Sequence, residues 1–239
     1  MGRIIIVSIY VDDLIYTGDD ETLIKDFKAA MIREFDMTNL RLMYYFLEIE
    51  VTQHAREIFI NQSQYANNIL KRFGMIESNS TNISIAKGTK IDKDLQATVV
   101  NETSYKQIIE NLMYLTTTRP NLMFVTGLIG RKSTGGYVFL FSTGAVAWYS
   151  KKQPIVTLST IEAEFVATAM CTCQAIWIIR ILKELGYDEG TYLSKKGIVS
   201  LVHCGTADQV VDIMSKPLKI DTFQKLRKML GMYALTEIS

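Results

Sequence analysis

Two adjacent carboxylates, Asp12 and Asp13, stand between two runs of β-branched and aromatic residues in the stretch Ile-Ile-Ile-Val-Ser-Ile-Tyr-Val-Asp-Asp-Leu-Ile-Tyr-Thr-Gly of residues 4–18. Runs of this kind form strands, and an acidic pair between them marks the turn of a hairpin. The apolar arms are expected to be buried, with only the turn facing solvent or a metal. Carboxylates packed beside apolar strands are costly unless neutralised, and a divalent cation held through oxygen ligands is the usual solution. Asp12 and Asp13 are therefore candidate metal ligands. A turn also favours aspartate for local reasons, because the side chain tolerates turn geometry and bonds its own backbone.

At 239 residues the chain suits one or two domains. Its 26 Lys+Arg against 25 Asp+Glu leave it nearly neutral, so binding to a polyanion has to come from local patches. A single Arg precedes the apolar run 4–9, which ends at an acidic pair rather than a small-residue cleavage site, so no signal peptide is expected. No apolar stretch is expected to reach the ~20 residues of a bilayer span, which points to a soluble, intracellular protein. Cys171, Cys173 and Cys204 are odd in number and lack disulfide-framework spacing, which implies no disulfide partner and a reducing compartment. Two residues apart on a helix, Cys171 and Cys173 point to different sides, and His203 beside Cys204 adds no further ligand set. Buried structural thiols are the expectation there.

The elements that must position the acids follow from periodicity. Leu23, Ile24, Phe27, Met31 and Phe35 recur at helical spacing over 21–35, after an acidic start. Residues 40–52 have the pattern of a strand, and 57–61 of a second strand paired with it across the polar turn 53–56. The order hairpin, helix, hairpin is α+β. A helix over 62–73 closes at Gly74, and a polar linker runs from 76 to 101. Helices are predicted over 105–118 and 121–129. Short β-rich runs at 137–141, 145–150 and 155–158 predict a three-stranded antiparallel meander. Ser159 with Glu162 forms a capping box for a long helix that stops at Gly186. A strand over 199–203 and helices over 207–214 and 223–230 complete the chain. There is no internal repeat and no low-complexity tract.

Nearly the whole chain resembles the carboxy-terminal part of the Pol polyprotein of copia-type long-terminal-repeat retrotransposons, where a reverse transcriptase is followed by a ribonuclease H. Tyr10-Val11-Asp12-Asp13 with its flanks is similar to the palm motif. Phe35-Asp36-Met37-Thr38 and Tyr45-Phe46-Leu47-Glu48-Ile49-Glu50-Val51 are similar to the next blocks, with Glu48 where the family has glycine. Tyr114-Leu115-Thr116-Thr117-Thr118-Arg119-Pro120-Asn121 resembles the block closing the polymerase, with Asn121 in place of aspartate. Arg131-Lys132-Ser133-Thr134-Gly135-Gly136-Tyr137, Ser150-Lys151-Lys152-Gln153-Pro154, the segment from Leu158 to Phe165 and the segment from Asp208 to Leu218 resemble ribonuclease H blocks.

The resemblance implies a partial reverse-transcriptase palm over 1–129 and an incomplete ribonuclease H-like α/β domain over 130–239. It implies RNA-directed DNA polymerisation and cleavage of RNA in hybrids, with Mg2+, nucleoside triphosphates, and a primer-template or RNA–DNA hybrid as partner. Asp12, Asp13, Glu164 and Asp212 are then the catalytic acids and metal ligands. Two-ion catalysis needs carboxylates from separate strands. The family's upstream palm acid has no counterpart among the nine residues before Tyr10. In the ribonuclease H part Leu128-Ile129-Gly130 and Tyr192-Leu193-Ser194-Lys195-Lys196-Gly197 offer no acid, so internal deletions and an inactive polypeptide are expected, with an intact Pol protein as a partner able to supply the missing parts.

Simpler readings stand beside these. Glu162 and Glu164 suit the first turn of a helix, where acids complement the macrodipole, and Asp212 suits an exposed helix face. Lys151, Lys152, Lys216 and Lys219 fit either solvated faces or phosphate contacts on a duplex. The alternative function is a non-catalytic nucleic-acid-binding or interaction protein of transposon origin.

Overall fold

The β-branched runs around the acidic pair form an antiparallel hairpin. β1 (Ile5–Tyr10) pairs with β2 (Asp13–Gly18), and the register sets Tyr10 opposite Asp13, so Val11 and Asp12 alone make the loop. The structure, a computed structural model, describes residues 3–89, 101–129, 135–151, 160–187 and 202–234, with the side chains of 151 and 160–163 outside that description. These residues form two compact units, one of 3–61 with 176–187 and one holding the described residues from Gln62 to Ala175 and 202–234.

In the first unit β2 leads into α1 (Glu21–Glu34). Asp20 caps this helix, its Oδ1 accepting from the Leu23 N–H at 2.8 Å. The same oxygen lies 3.7 Å from the Arg3 guanidinium, and Asp19 Oδ1 accepts from the Ile4 N–H, so charges tie the open end of the hairpin to the start of the helix. Tyr16 of β2 meets Phe27 of α1 edge-on at 5.4 Å. The arms are not buried as expected. Ile9 is 72% exposed, and Ile6, Val7 and Tyr10 are exposed with it. A two-stranded ribbon has two faces, and among the described residues this one packs on α1 through β2, which leaves most of β1 exposed.

The single strand expected over 40–52 is two strands. β3 (Tyr45–Phe46), β4 (Ile49–Gln53) and β5 (Ile58–Asn61) form an antiparallel sheet in that order, with Phe46 opposite Ile49. Leu47 and Glu48 are thus a two-residue loop, at φ +47° and +60°, the backbone of a type I′ hairpin. No Gly or Asn marks this turn, so the apolar run hides it. The β4–β5 connection lies where expected, with the His54 N–H donating to the Glu57 carbonyl at 2.8 Å.

In the second unit α2 (Ser63–Arg72) ends at Gly74, whose φ of +65° lets the N–H groups of Gly74 and Met75 bond back to Lys71 and Leu70. α3 (Glu102–Leu115) is capped by Asn101, and a 3₁₀ turn at Pro120–Leu122 leads into α4 (Met123–Ile129). Of the predicted linker, 76–89 is irregular and 90–100 lies outside the described residues. β6 (Gly135–Phe141) and β7 (Gly144–Lys151) pair antiparallel, while the predicted third strand and the Ser159 cap lie outside the described residues. α5 (Thr160–Glu184) stops before Gly186 as expected. Val202 and His203 are irregular, and the rest of the strand predicted over 199–203 lies outside.

The helix predicted over 207–214 is a 3₁₀ turn at Val210–Met214. Three residues per turn stack Val210 on Ile213, which a buried side needs, and Pro217 prevents continuation. α6 (Ile220–Met229) follows, presenting Phe223 and Leu226 inward. Together with Leu230 these side chains form a core with Val210, Ile213 and Met214, against which Met123, Val138, Ala145 and Trp148 pack. Residues from both sides of position 130 therefore share one core. The Ala145 N–H donates to the Leu230 carbonyl at 3.0 Å, and the Ser150 hydroxyl to the buried Met214 carbonyl at 2.8 Å.

Two composition-based expectations change. Glu164–Glu184 is long and apolar enough to cross a bilayer, because a helix tolerates Arg180 and Lys183 near its end, although a core helix of a soluble protein has the same composition. Cys173 and Cys204 are exposed and Cys171 half-buried, so the thiols are not core residues.

Candidate active site

The hairpin places Asp12 in the loop and Asp13 at the first position of β2, both exposed. No hydrogen bond or ion pair reaches either carboxylate from another described residue. In water the two charges need no cation to offset burial, so the desolvation argument for a metal loses its premise. Tyr10, one residue before the loop, meets Phe46 of β3 edge-on at 6.3 Å, which links the tip to the neighbouring sheet.

Asp212 is the opposite case. It is 8% exposed within the 3₁₀ turn, which corrects the reading of it as an exposed helix residue. Its Oδ1 lies 2.9 Å from Lys216 Nζ. Its neighbours Val210, Ile213 and Met214 are core residues, so the acid is carried inward with them. Glu164 lies exposed in the first turns of α5, its carbonyl accepting from the Thr168 hydroxyl at 2.9 Å. Lys219 is exposed at the N-cap of α6, while Lys152 and the Lys151 side chain lie outside the described residues. Among the described residues no three or more His, Cys, Asp or Glu side chains gather as a metal site.

Residues 1–87, which carry the Tyr-Val-Asp-Asp hairpin, match the family model of reverse transcriptase (RNA-dependent DNA polymerase). The chain is similar to the retrovirus-related Pol polyprotein from transposon TNT 1-94 of Nicotiana tabacum, 27% identical over 80% of this chain and 19% of the relative. It is also similar to the retrovirus-related Pol polyprotein from transposon RE2 of Arabidopsis thaliana, 24% identical over 97% of this chain and 22% of the relative. Over most of its length the chain is thus similar to retrovirus-related Pol polyproteins from transposons.

It spans about a fifth of the length of these Pol relatives. An uncharacterized mitochondrial protein of Arabidopsis thaliana, 22% identical over 71% of this chain, is matched over 92% of its own length. No solved structure matches. The alignment with the RE2 Pol runs over 320 positions, more than the 239 residues of this chain, so it crosses stretches of that Pol with no counterpart here.

Reverse transcriptases of this kind use magnesium. Asp12 and Asp13 offer carboxylates from one hairpin tip, and Asp212 already faces an ammonium group. The described residues do not fit a paired-ion clamp, which takes acids from separate elements around both ions. The role of Lys216 as partner of Asp212 was missed from sequence, although the Asp-x-x-x-Lys spacing signals such a pair. Charge is also unevenly divided, with six Lys+Arg against eleven Asp+Glu through Asn61, and twenty against fourteen from Gln62 onward.

Proposed function

We propose that this chain is a Pol fragment whose reverse-transcriptase-derived part (1–129) is followed by a ribonuclease H-like part (130–239), and that this polypeptide neither polymerises DNA nor cleaves hybrids. The observation that carries the reading is the exposed Asp12-Asp13 tip without a third acid beside it among the described residues. The stretches of Pol relatives with no counterpart here support it, as does the lack of acids at 128–130 and 192–197 where the resembled ribonuclease H has them. Purified protein given an RNA template, a DNA primer and either Mg2+ or Mn2+ is expected to give no extension. Extension that disappears in Asp12→Asn would show that another acid completes the site. Hybrid cleavage lost in both Glu164→Gln and Asp212→Asn would show the same for the second part.

The charge division favours a second reading, non-catalytic binding of an RNA–DNA hybrid by the basic remainder of the chain. Lys151, Lys152, Lys216 and Lys219 are its contacts, and such binding weakens as salt rises, with little sequence preference. Unchanged hybrid affinity after all four are replaced by glutamate removes this reading. Association with an intact Pol protein is compatible with both, since the β1 arm leaves apolar surface uncovered.

A further inference from the structure

The buried acid of the second unit is neutralised from within the chain. Asp212 lies in a turn flanked by core residues, its side chain 11% exposed, whereas that of Lys216 is 58% exposed. A carboxylate so placed needs a counter-charge, because removing one partner of a shielded pair leaves an uncompensated charge. Lys216 meets this need with its charged head still in contact with water. The backbone fixes the geometry. The N–H groups of Ser215 and Lys216 both donate to the Asp212 carbonyl, at 3.2 and 2.9 Å, which folds the chain back so that the Lys216 stem passes over the acid. The Ser150 bond to the Met214 carbonyl holds the turn against β7, and the Ser215 hydroxyl donates to the Val211 carbonyl at 3.1 Å.

We infer that Lys216 is the built-in counter-ion of Asp212 and takes the place of a divalent cation, so that residues 208–218 serve as a metal-independent packing element. This stands apart from the proposal of inactivity, because it is read by stability and ion binding and not by turnover. Thermal unfolding of the 239-residue protein at neutral pH is expected to show the same midpoint with and without millimolar Mg2+ or Mn2+. Lys216→Met should lower the midpoint by roughly 3 to 6 °C, the response of a chain this long to loss of one charge partner. Lys216→Arg should stay near wild type, and the double variant Asp212→Asn/Lys216→Met should recover most of the loss. A wild-type midpoint that rises saturably with Mn2+, the rise vanishing in Asp212→Asn, would overturn the inference, as would Lys216→Met and the double variant being equally stable. Should Lys216→Met not fold, wild-type NMR decides: no Mn2+ broadening concentrated at residues 210–216 supports the counter-ion role, and broadening concentrated there overturns it.

Discussion

The Tyr45 hydroxyl donates to Glu48 Oε2 at 2.7 Å across the two-residue loop between β3 and β4. Glu48 sits at φ +60°, where an L-residue costs about 1–2 kcal/mol and glycine costs little. The resembled family carries glycine at this position, and the loop geometry supplies the reason. The Tyr45 bond offsets part of the strain. Glu48→Gly should raise stability by about 0.5–1 kcal/mol in urea unfolding. Tyr45→Phe should destabilise the wild type and be neutral in the Glu48→Gly background. An equal cost in both backgrounds would mean the bond does not bear on the loop.

The tip that carries the acidic pair has a related tension. Val11 is at φ +52°, unusual for a β-branched residue, and 83% exposed, so its side chain gains almost nothing in return. Val11→Gly is expected to stabilise the hairpin by about 1 kcal/mol, with the exchange protection of the β1–β2 ladder raised. Lowered protection there would show that the valine side chain holds the tip through a contact of its own.

Strands and helices with a clear period were legible in the sequence: the 4–18 hairpin, α1, α2, α3 and α5 all appear near their expected bounds. Turn geometry was not, because Leu47-Glu48 reaches positive φ without the Gly or Asn that advertises it. Burial also escaped the sequence. The β1 run reads as core, but burial depends on what packs against it, and among the described residues α1 packs on β2 while most of β1 stays exposed. Of the candidate site, the placement of Asp12 and Asp13 at a tip was readable, whereas the inward position of Asp212 was not. An acid in a polar-looking block is carried inside by its neighbours Ile213 and Met214, which its own polarity does not reveal.

Stability at low pH should depend on Asp20. The backbone N–H of Leu23 bonding its carboxylate, helped by the nearby Arg3, holds its pKa below the ordinary value against a smaller opposing effect of burial. A depressed folded pKa gives stability that is present above the unfolded value and lost as pH falls through the folded one. Acid titration of unfolding should therefore show wild type losing an increment below about pH 4 that Asp20→Asn never has. Parallel acid curves for the two proteins would mean the cap contributes nothing through its charge.

Gln62 is the most demanding polar residue of the second unit, at 0% exposed. Its Oε1 accepts from the Thr118 hydroxyl at 2.8 Å, with the Thr117 hydroxyl farther off at 3.4 Å and directed mainly to the Tyr114 carbonyl at 2.7 Å. Its Nε2 has no partner. The side chain thus combines one useful bond, a full volume of packing and one orphaned donor. Gln62→Ala loses the bond and opens a cavity, a combined cost of about 2–4 kcal/mol. Gln62→Met keeps the volume and removes the orphaned donor while losing the same bond, so its cost should be only about 1 kcal/mol. Urea unfolding of the two variants separates these terms. Equal losses would mean that packing at this position is already relaxed and that the Thr118 bond alone carries the residue.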